Sequence, residues 1–301
     1  MTKIVSVHSF RGGTGKSNSS ANIAAQLAMS GKRVAVVDTD VQSPGIHVLF
    51  GFDEKMSGKM LNDYLYGGCP ITEAAHDVSD RVPGMAAGGA LYLVPSSIKA
   101  ADIAKVLRQG YDVELLNEGF RTLVKDLKLD ILVIDTHPGL NEETLLSITI
   151  SDILLLILRP DKQDYQGTAV TVDVARRLEV PELLLVVNKA PADAPAEGLA
   201  GDVADRPNVA HRGRAALVDA DERPAHVEVE AVEAEIPGAR PSPDRDQDHL
   251  GRDFSRIAAD LDGERALSHK LSDSGARVLI TTNSAALLPM AACVVSAPMC
   301  T

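Results

Sequence analysis

The strongest constraint on the fold lies near the start of the chain, in residues 3–31. Residues 3–10 alternate apolar and small polar side chains over the length of a strand. Residues 18–30 carry alanines and apolar residues at helical spacing, and Gly31 follows as a helix stop. Between them the run R-G-G-T-G-K-S joins the two segments. This order predicts a strand, a glycine-rich turn and a helix, which is how a wound α/β sheet begins.

The glycine-rich turn has the composition of a phosphate-binding loop. Glycines allow backbone N–H groups to face an anion, and the helix N-terminus adds partial positive charge. Lys16 is expected to reach the β- and γ-phosphates of a nucleotide, and the Ser17 hydroxyl to ligate Mg²⁺. The usual pattern G-x-x-x-x-G-K-[ST] requires a glycine where this chain has Phe10. The run from Arg11 fits instead the deviant form K-G-G-x-G-K-[ST], in which a basic residue precedes two glycines.

Composition narrows the function classes. The 301 residues carry a net charge of −12, no Trp and only 3% aromatic residues, which does not favour a nucleic-acid-binding protein. Cys69, Cys293 and Cys300 lack the C-x-x-C spacing of a metal site, and buried or incidental thiols are expected. No basic and apolar leader precedes the first strand, and no apolar run reaches about 18 residues. A cytoplasmic location is therefore expected.

Two apolar runs end in carboxylates. Residues 33–38 end at Asp38 and residues 129–135 end at Asp135, as in buried parallel strands. Ligands bind at the carboxyl edge of such sheets, and a strand ending in Asp is the Walker B arrangement. Asp38 and Asp135 are therefore predicted to lie near Mg²⁺.

The loops after these strands hold two further polar residues. Asp40 is expected to orient an attacking water, with a helix cap or a solvated loop residue as the alternative. His137 precedes Pro138 and Gly139 in a loop that can respond to the γ-phosphate as a switch. A packing or hydrogen-bonding role is favoured for His137 over a general base.

The remaining elements alternate in the same way. Asn188 ends the last strand, where its amide can pair with the N6/N7 edge of adenine, a structural turn being the alternative. Further helices are expected at 60–65, 99–109, 112–127 and 163–178, and further strands at 91–95, 152–158 and 182–187. Right-handed crossovers then predict a doubly wound, mostly parallel sheet of P-loop NTPase type over residues 1–191.

These residues together resemble the MinD/ParA family of deviant Walker A P-loop ATPases. The resemblance rests on the phosphate loop, on D-T-D from Asp38, on D-T-H-P-G from Asp135 and on N-K-A-P from Asn188. Residues 7–18 and 134–144 resemble a MinD/ParA-like branch whose cellular role is unsettled. The match covers about residues 1–191, whereas the family domain extends to about residue 262.

The resemblance implies a cytoplasmic, ATP-dependent homodimer that binds ATP and Mg²⁺ and hydrolyses ATP slowly when a partner protein stimulates it. It implies catalytic roles for Lys16, Asp40 and Arg11 and metal-binding roles for Ser17, Asp38 and Asp135. Nucleotide contacts are implied for Gly12, Gly13, Thr14, Gly15, Lys16, Ser17, Asn18, Asn188 and Pro191. Such a switch positions or partitions cellular components.

One position departs from the family. The signature lysine that crosses to the partner's phosphates is Arg11 here. Arginine keeps the charge and offers a planar fork of donors, so it can serve as a trans finger with different reach. Dimer-coupled hydrolysis is accordingly less well supported than ATP binding.

Other functions remain open. A nucleotide-binding scaffold with little or no turnover is one, and a ParA-type DNA-partitioning ATPase is another, although the latter needs a basic surface. A reductase like the nitrogenase iron protein needs paired cluster cysteines, and Cys69 stands alone. A tyrosine autokinase needs a C-terminal tyrosine cluster, and no Tyr follows Tyr165.

The amino-acid composition of residues 192–301 differs from that of the preceding residues. Ala, Asp, Pro and Glu dominate, there is no Lys between 190 and 269, and few large apolar residues occur. Two explanations are open: a frame-shifted reading of GC-rich coding sequence, or a native acidic, disordered extension. Residues 278–301 contain no Lys or Arg, which argues against a basic amphipathic membrane helix.

Overall fold

A computed structural model describes residues 2–52 and 57–189, together with the backbone of three short strands at 217–218, 269–270 and 276–281. The prediction of an atypical region at 192–301 otherwise falls outside the described residues. Pro191 lies outside them as well.

The described residues form one sheet that is mostly parallel. Its strand order is β3-β4-β2-β5-β1-β6-β7-β10-β8, and β9 pairs with β10. Two pairings are antiparallel, β3 with β4 and β9 with β10, and the other pairings are parallel. The strands are β1 Lys3–His8, β2 Arg33–Asp38, β3 His76–Asp77, β4 Ala90–Val94, β5 Ile131–Asp135, β6 Ile153–Leu158, β7 Glu182–Val187, β8 Leu217–Val218, β9 His269–Lys270 and β10 Ala276–Thr281.

Helices cover both faces of this sheet. On one face Ile23 and Leu27 of α1 pack against Val5 and Val36. On the other face Phe120 of α5 belongs to the cluster that holds the alternate strand residues such as Ala35, Val37 and Ile134. The helices are α1 Lys16–Met29, α2 Ile46–Leu49, α3 Leu61–Leu65, α4 Ala100–Gln109, α5 Val113–Asp126, α6 Glu142–Thr149 and α7 Lys162–Arg177. None of the helices in the described residues is long and apolar enough to cross a membrane.

The predicted doubly wound fold is confirmed for this part of the chain. The central strands are buried along nearly their whole length, as the continuous apolar runs indicated. Gly31 has φ +89° and ends α1 as predicted, with its N–H donating to Ala28 O at 2.9 Å. Residues 142–149 were not predicted as helical, although Asn141 and Thr144 form a capping box at the start of α6.

Candidate functional site

The loop between β1 and α1 presents free helix N–H groups to the carboxyl edge of the sheet. Gly13 and Gly15 have φ +78° and +97°, a region that glycine enters without strain. Gly15 is the residue before α1, and no side chain among the described residues caps this helix start. An uncapped helix N-terminus beside turned backbone amides suits a phosphate group.

Beneath the loop, Lys16 is paired with Asp135. Lys16 Nζ lies 2.9 Å from Asp135 Oδ1, and both side chains are buried. The Ser20 hydroxyl donates to the same oxygen at 2.8 Å. Ser17 Oγ lies 3.5 Å from Lys16 Nζ. The predicted phosphate-binding lysine thus contacts the Walker B aspartate directly.

Asp38 and Asp135 form a carboxylate pair at adjacent strand ends. They are partners in the β2–β5 register. Burial and the neighbouring Asp135 raise the pKa of the Asp38 carboxyl well above its usual value. Within the described residues, Asp38 Oδ2 and Asp135 Oδ2 are buried without a hydrogen-bond partner.

The two unpartnered carboxylate oxygens match the oxygen ligands that Mg²⁺ takes, and the Ser17 hydroxyl lies 3.5 Å from the Lys16 ammonium that contacts Asp135. A cation there would also favour the charged form of Asp38. The three predicted metal-binding residues therefore fit the ion.

Asp40 and His137 connect the loops that follow β2 and β5. His137 Nδ1 lies 2.6 Å from Asp40 Oδ1, and the same oxygen accepts the Ser43 backbone N–H at 3.1 Å. The hydrogen bond with Asp40 raises the pKa of His137 above its usual value, and burial opposes this.

Arg11 lies against the start of α7 in its own chain. Its Nη1 donates to Gln163 Oε1 at 2.6 Å and lies 3.6 Å from Asp164 Oδ1 and 3.8 Å from Asp161 Oδ1. Arg159 Nε also contacts Asp164, at 3.1 Å. The crossing role of Arg11 stays a prediction, and these contacts give the residue a position within one subunit.

Phe10 also contacts α7. A Cβ on residue 167 would overlap Phe10 Cδ1, so the ring lies directly on Gly167. The residue that breaks the usual P-loop pattern therefore attaches the loop to a neighbouring helix. Sequence analysis did not assign Phe10 a contact, since Gly167 lies more than 150 positions away.

The end of β7 supports the glycine loop from below. Asn188 Nδ2 donates to Thr14 O at 2.7 Å, and Lys189 Nζ donates to Gly13 O at 2.8 Å. Asn188 is fully buried. Its predicted contact with adenine stays a prediction, and this hydrogen bond gives it a loop-supporting role in addition.

A sequence profile described as an AAA domain (AAA_31) matches residues 2–180. The chain belongs to this family. It is a P-loop ATPase of MinD/ParA type, as the resemblance implied.

Individual relatives are distant. An uncharacterized ATP-binding protein of Methanocaldococcus jannaschii is 28% identical over 189 residues, which are 63% of this chain and 65% of that protein. The septum site-determining protein MinD of Buchnera aphidicola is 27% identical over 161 residues, 54% of each chain. The matched region thus spans less than two thirds of these relatives.

Among solved structures, MinD of Pyrococcus horikoshii complexed with Mg-ADP is similar in fold. Its TM-score is 0.55 and its identity 24%, over 70% of this chain and 80% of that chain.

In this MinD/ParA-type ATPase the predicted site residues converge at one edge of the sheet. The glycine loop, Lys16, Ser17, Asp38 and Asp135 lie together, and Asp40 lies in the adjoining loop. Asn18 is exposed on the first turn of α1. Thr14 is buried, and its Oγ1 has no hydrogen-bond partner in the described residues.

Proposed function

We propose that the protein binds ATP with Mg²⁺ and hydrolyses it slowly as a dimeric switch of MinD/ParA type, stimulated by a partner protein. The switch positions or partitions cellular components. The observation that carries the proposal is the buried Lys16–Asp135 pair beneath an uncapped, glycine-rich helix start. The Mg-ADP bound in the Pyrococcus horikoshii relative supports the choice of nucleotide and metal.

The residues act in a defined order. Incoming phosphates bind the N–H groups of the loop, and Lys16 exchanges Asp135 for a phosphate oxygen. Asp135, Asp38 and Ser17 would hold Mg²⁺, which supplies charge neutralisation of the phosphates. Asp40 orients a water toward the γ-phosphate. Most of the rate enhancement then comes from positioning and charge rather than covalent chemistry.

Calorimetry with ATP tests the binding half of the proposal. Lys16→Ala removes the cation nearest the phosphates, and ATP affinity should be lost. Lys125→Ala, an exposed lysine of α5, is the matched control and should bind ATP like the wild type. Lys16→Ala also leaves Asp135 buried without its cation, which costs roughly 3 kcal/mol. Circular dichroism must therefore show that the variant is folded, and unchanged affinity would remove this loop as the site.

Ser17→Ala tests metal binding without removing the Lys16–Asp135 ion pair. It keeps the Lys16–Asp135 contact and should lower the Mg²⁺-dependent part of the ATP affinity. A variant whose affinity responds to Mg²⁺ as the wild type does would show that Ser17 is not a ligand.

Turnover tests the chemical half. Asp40→Ala should bind ATP but hydrolyse it only at a small residual rate, because a water-orienting carboxylate acts mainly in the transition state. Loss of affinity with an unchanged rate per bound molecule would instead make Asp40 a binding group.

The second candidate is a nucleotide-binding scaffold without meaningful turnover. The intrachain contacts of Arg11 favour the scaffold, because they engage the side chain at the position where the family has its dimer-crossing lysine. A wild-type rate equal to that of buffer, with candidate partners present, would support the scaffold.

A further inference from the structure

In the described part of the chain, a side-chain hydrogen bond joins the two loops that flank the phosphate edge. Asp40 lies two residues after the end of β2, and His137 lies two residues after the end of β5. His137 Nδ1 and Asp40 Oδ1 are 2.6 Å apart, with Asp40 7% exposed. Among the described residues, His137 supplies the side-chain hydrogen bond to this carboxylate.

The backbone on both sides of this contact is already fixed. The Thr136 hydroxyl donates to Val7 O at 3.1 Å and lies 2.7 Å from His8 Nδ1. Thr39 donates to Asp135 O from both its N–H and its hydroxyl, each at 3.0 Å. These hydrogen bonds anchor the backbone beside Asp40 and His137, and Asp40 N–H also donates to Asp38 Oδ1 at 3.1 Å.

Two donors determine the placement of the Asp40 carboxylate. The Ser43 N–H belongs to the same loop as Asp40, so its hydrogen bond does not fix the carboxylate relative to other strands. The imidazole of His137 comes from a different strand and holds the carboxylate relative to the β5 edge, where Lys16 and Asp135 lie. Of these two donors, the imidazole is the one that ties the Asp40 carboxylate to the rest of the phosphate site.

We infer that His137 is a positioning residue for ATP hydrolysis, holding Asp40 in the orientation that aligns the attacking water. The inference rests on the proposed function and deepens it. His137 donates to the carboxylate through Nδ1 and takes no proton from water. Misplacement of a catalytic group by about 1 Å costs roughly a hundredfold in rate, so removal of this donor should slow the chemical step while ATP stays bound.

The test compares His137→Ala with His137→Asn. The Asn amide nitrogen is the same number of bonds from the backbone as Nδ1, so it can donate to Asp40 in the same place. His137→Ala should lower kcat by roughly tenfold to a hundredfold with unchanged ATP affinity, and His137→Asn should recover most of the loss. Glu142→Gln, an exposed neighbour at the start of α6, is the matched control and should behave as the wild type.

A double variant checks that His137 acts through Asp40. In an Asp40→Ala background, His137→Ala should cause no further loss of the residual rate, because the group it positions is gone. Additive losses would mean that His137 acts by another route and would overturn the inference. A His137→Ala variant as fast as the wild type, or an Asn variant as slow as the Ala variant, would overturn it too.

Proton NMR provides a readout that does not depend on turnover. A short Nδ1–H bond to a carboxylate should give a downfield, slowly exchanging imidazole proton in the wild type, and Asp40→Asn should shift it. Its absence would overturn the inference whatever the rates. A wild type that shows this proton and binds ATP but does not hydrolyse it would contradict the proposed function instead.

Discussion

Lys16, Asp38 and Asp135 are buried close together at the site. Lys16 offsets Asp135, and Asp38 has its pKa raised by burial and by Asp135. His8, the last residue of β1, is fully buried, with Nδ1 2.7 Å from Thr136 Oγ1. Burial, followed by the charge of Lys16, lowers the pKa of His8 to about 3. His8 is therefore a neutral hydrogen-bonding partner of Thr136 at physiological pH.

His8 should make stability depend on pH. Its pKa is about 3 in the folded protein and about 6.5 in the unfolded chain, so between these values the unfolded chain binds the extra proton. The contribution of neutral His8 to the free energy of unfolding is fully present above about pH 6.5, and it decreases as the pH falls toward 3. Lowering the pH from 6.5 to 5 should cost about 2 kcal/mol.

Urea unfolding at pH 7 and pH 5 measures this loss. His8→Gln keeps a polar side chain without the titration and should lose less stability over the same interval. Equal losses in the two proteins would show that other groups control the pH dependence.

At the level of elements, α7 fixes the first half of the phosphate loop. Phe10 lies on Gly167, and Arg11 reaches Gln163 and Asp164 one turn earlier. Gly167 is an interior helix residue, where glycine costs about 1 kcal/mol relative to Ala. The helix carries this cost because the ring of Phe10 occupies the space a Cβ would take.

The effect of Gly167→Ala on the free energy of unfolding should therefore change sign with the residue at position 10. In the wild-type background the Cβ displaces Phe10, and overpacking costs about 1–3 kcal/mol, which outweighs the gain in helix propensity. In a Phe10→Ala background the same substitution should stabilise by up to about 1 kcal/mol. Urea unfolding of the four proteins gives the coupling energy, and a gain in both backgrounds would contradict the contact.

At the level of the whole molecule, Arg11 connects the fold to the proposed dimer. In one subunit its guanidinium faces the acidic start of α7. A crossing role requires that it leave these contacts for the partner's phosphates. On dimerisation, Arg11 would then exchange its contacts with α7 for contacts with the partner's phosphates.

Arg11→Ala should abolish ATP-dependent dimerisation and leave the affinity of the monomer for ADP nearly unchanged. Arg11→Lys restores the family's residue and should form dimers at least as well as the wild type. Light scattering with ATP and with ADP measures both outcomes. Equal dimer fractions for the wild type and Arg11→Ala would limit Arg11 to its contacts within the subunit.

The sequence by itself determined the succession of the central strands and which polar residues follow them at the site edge. Continuous apolar runs ending at Asp38 and Asp135 specify buried parallel strands, and such strands bring their carboxyl ends to one edge. The glycine loop follows from local backbone requirements, which act over a few residues and are visible in a short motif. For these reasons the fold class and the placement of Lys16, Ser17 and the two aspartates could be predicted.

The tertiary structure alone decided which side chains meet across the strand ends. The His137–Asp40 hydrogen bond, the Phe10–Gly167 contact and the support of Thr14 by Asn188 each join residues about 97 to 174 positions apart. Such pairings depend on strand order and on rotamers chosen by packing, and no local periodicity encodes them. The strand order β2-β5-β1-β6-β7 places these distant residues side by side, and the site's finer geometry exists only once that sheet has formed.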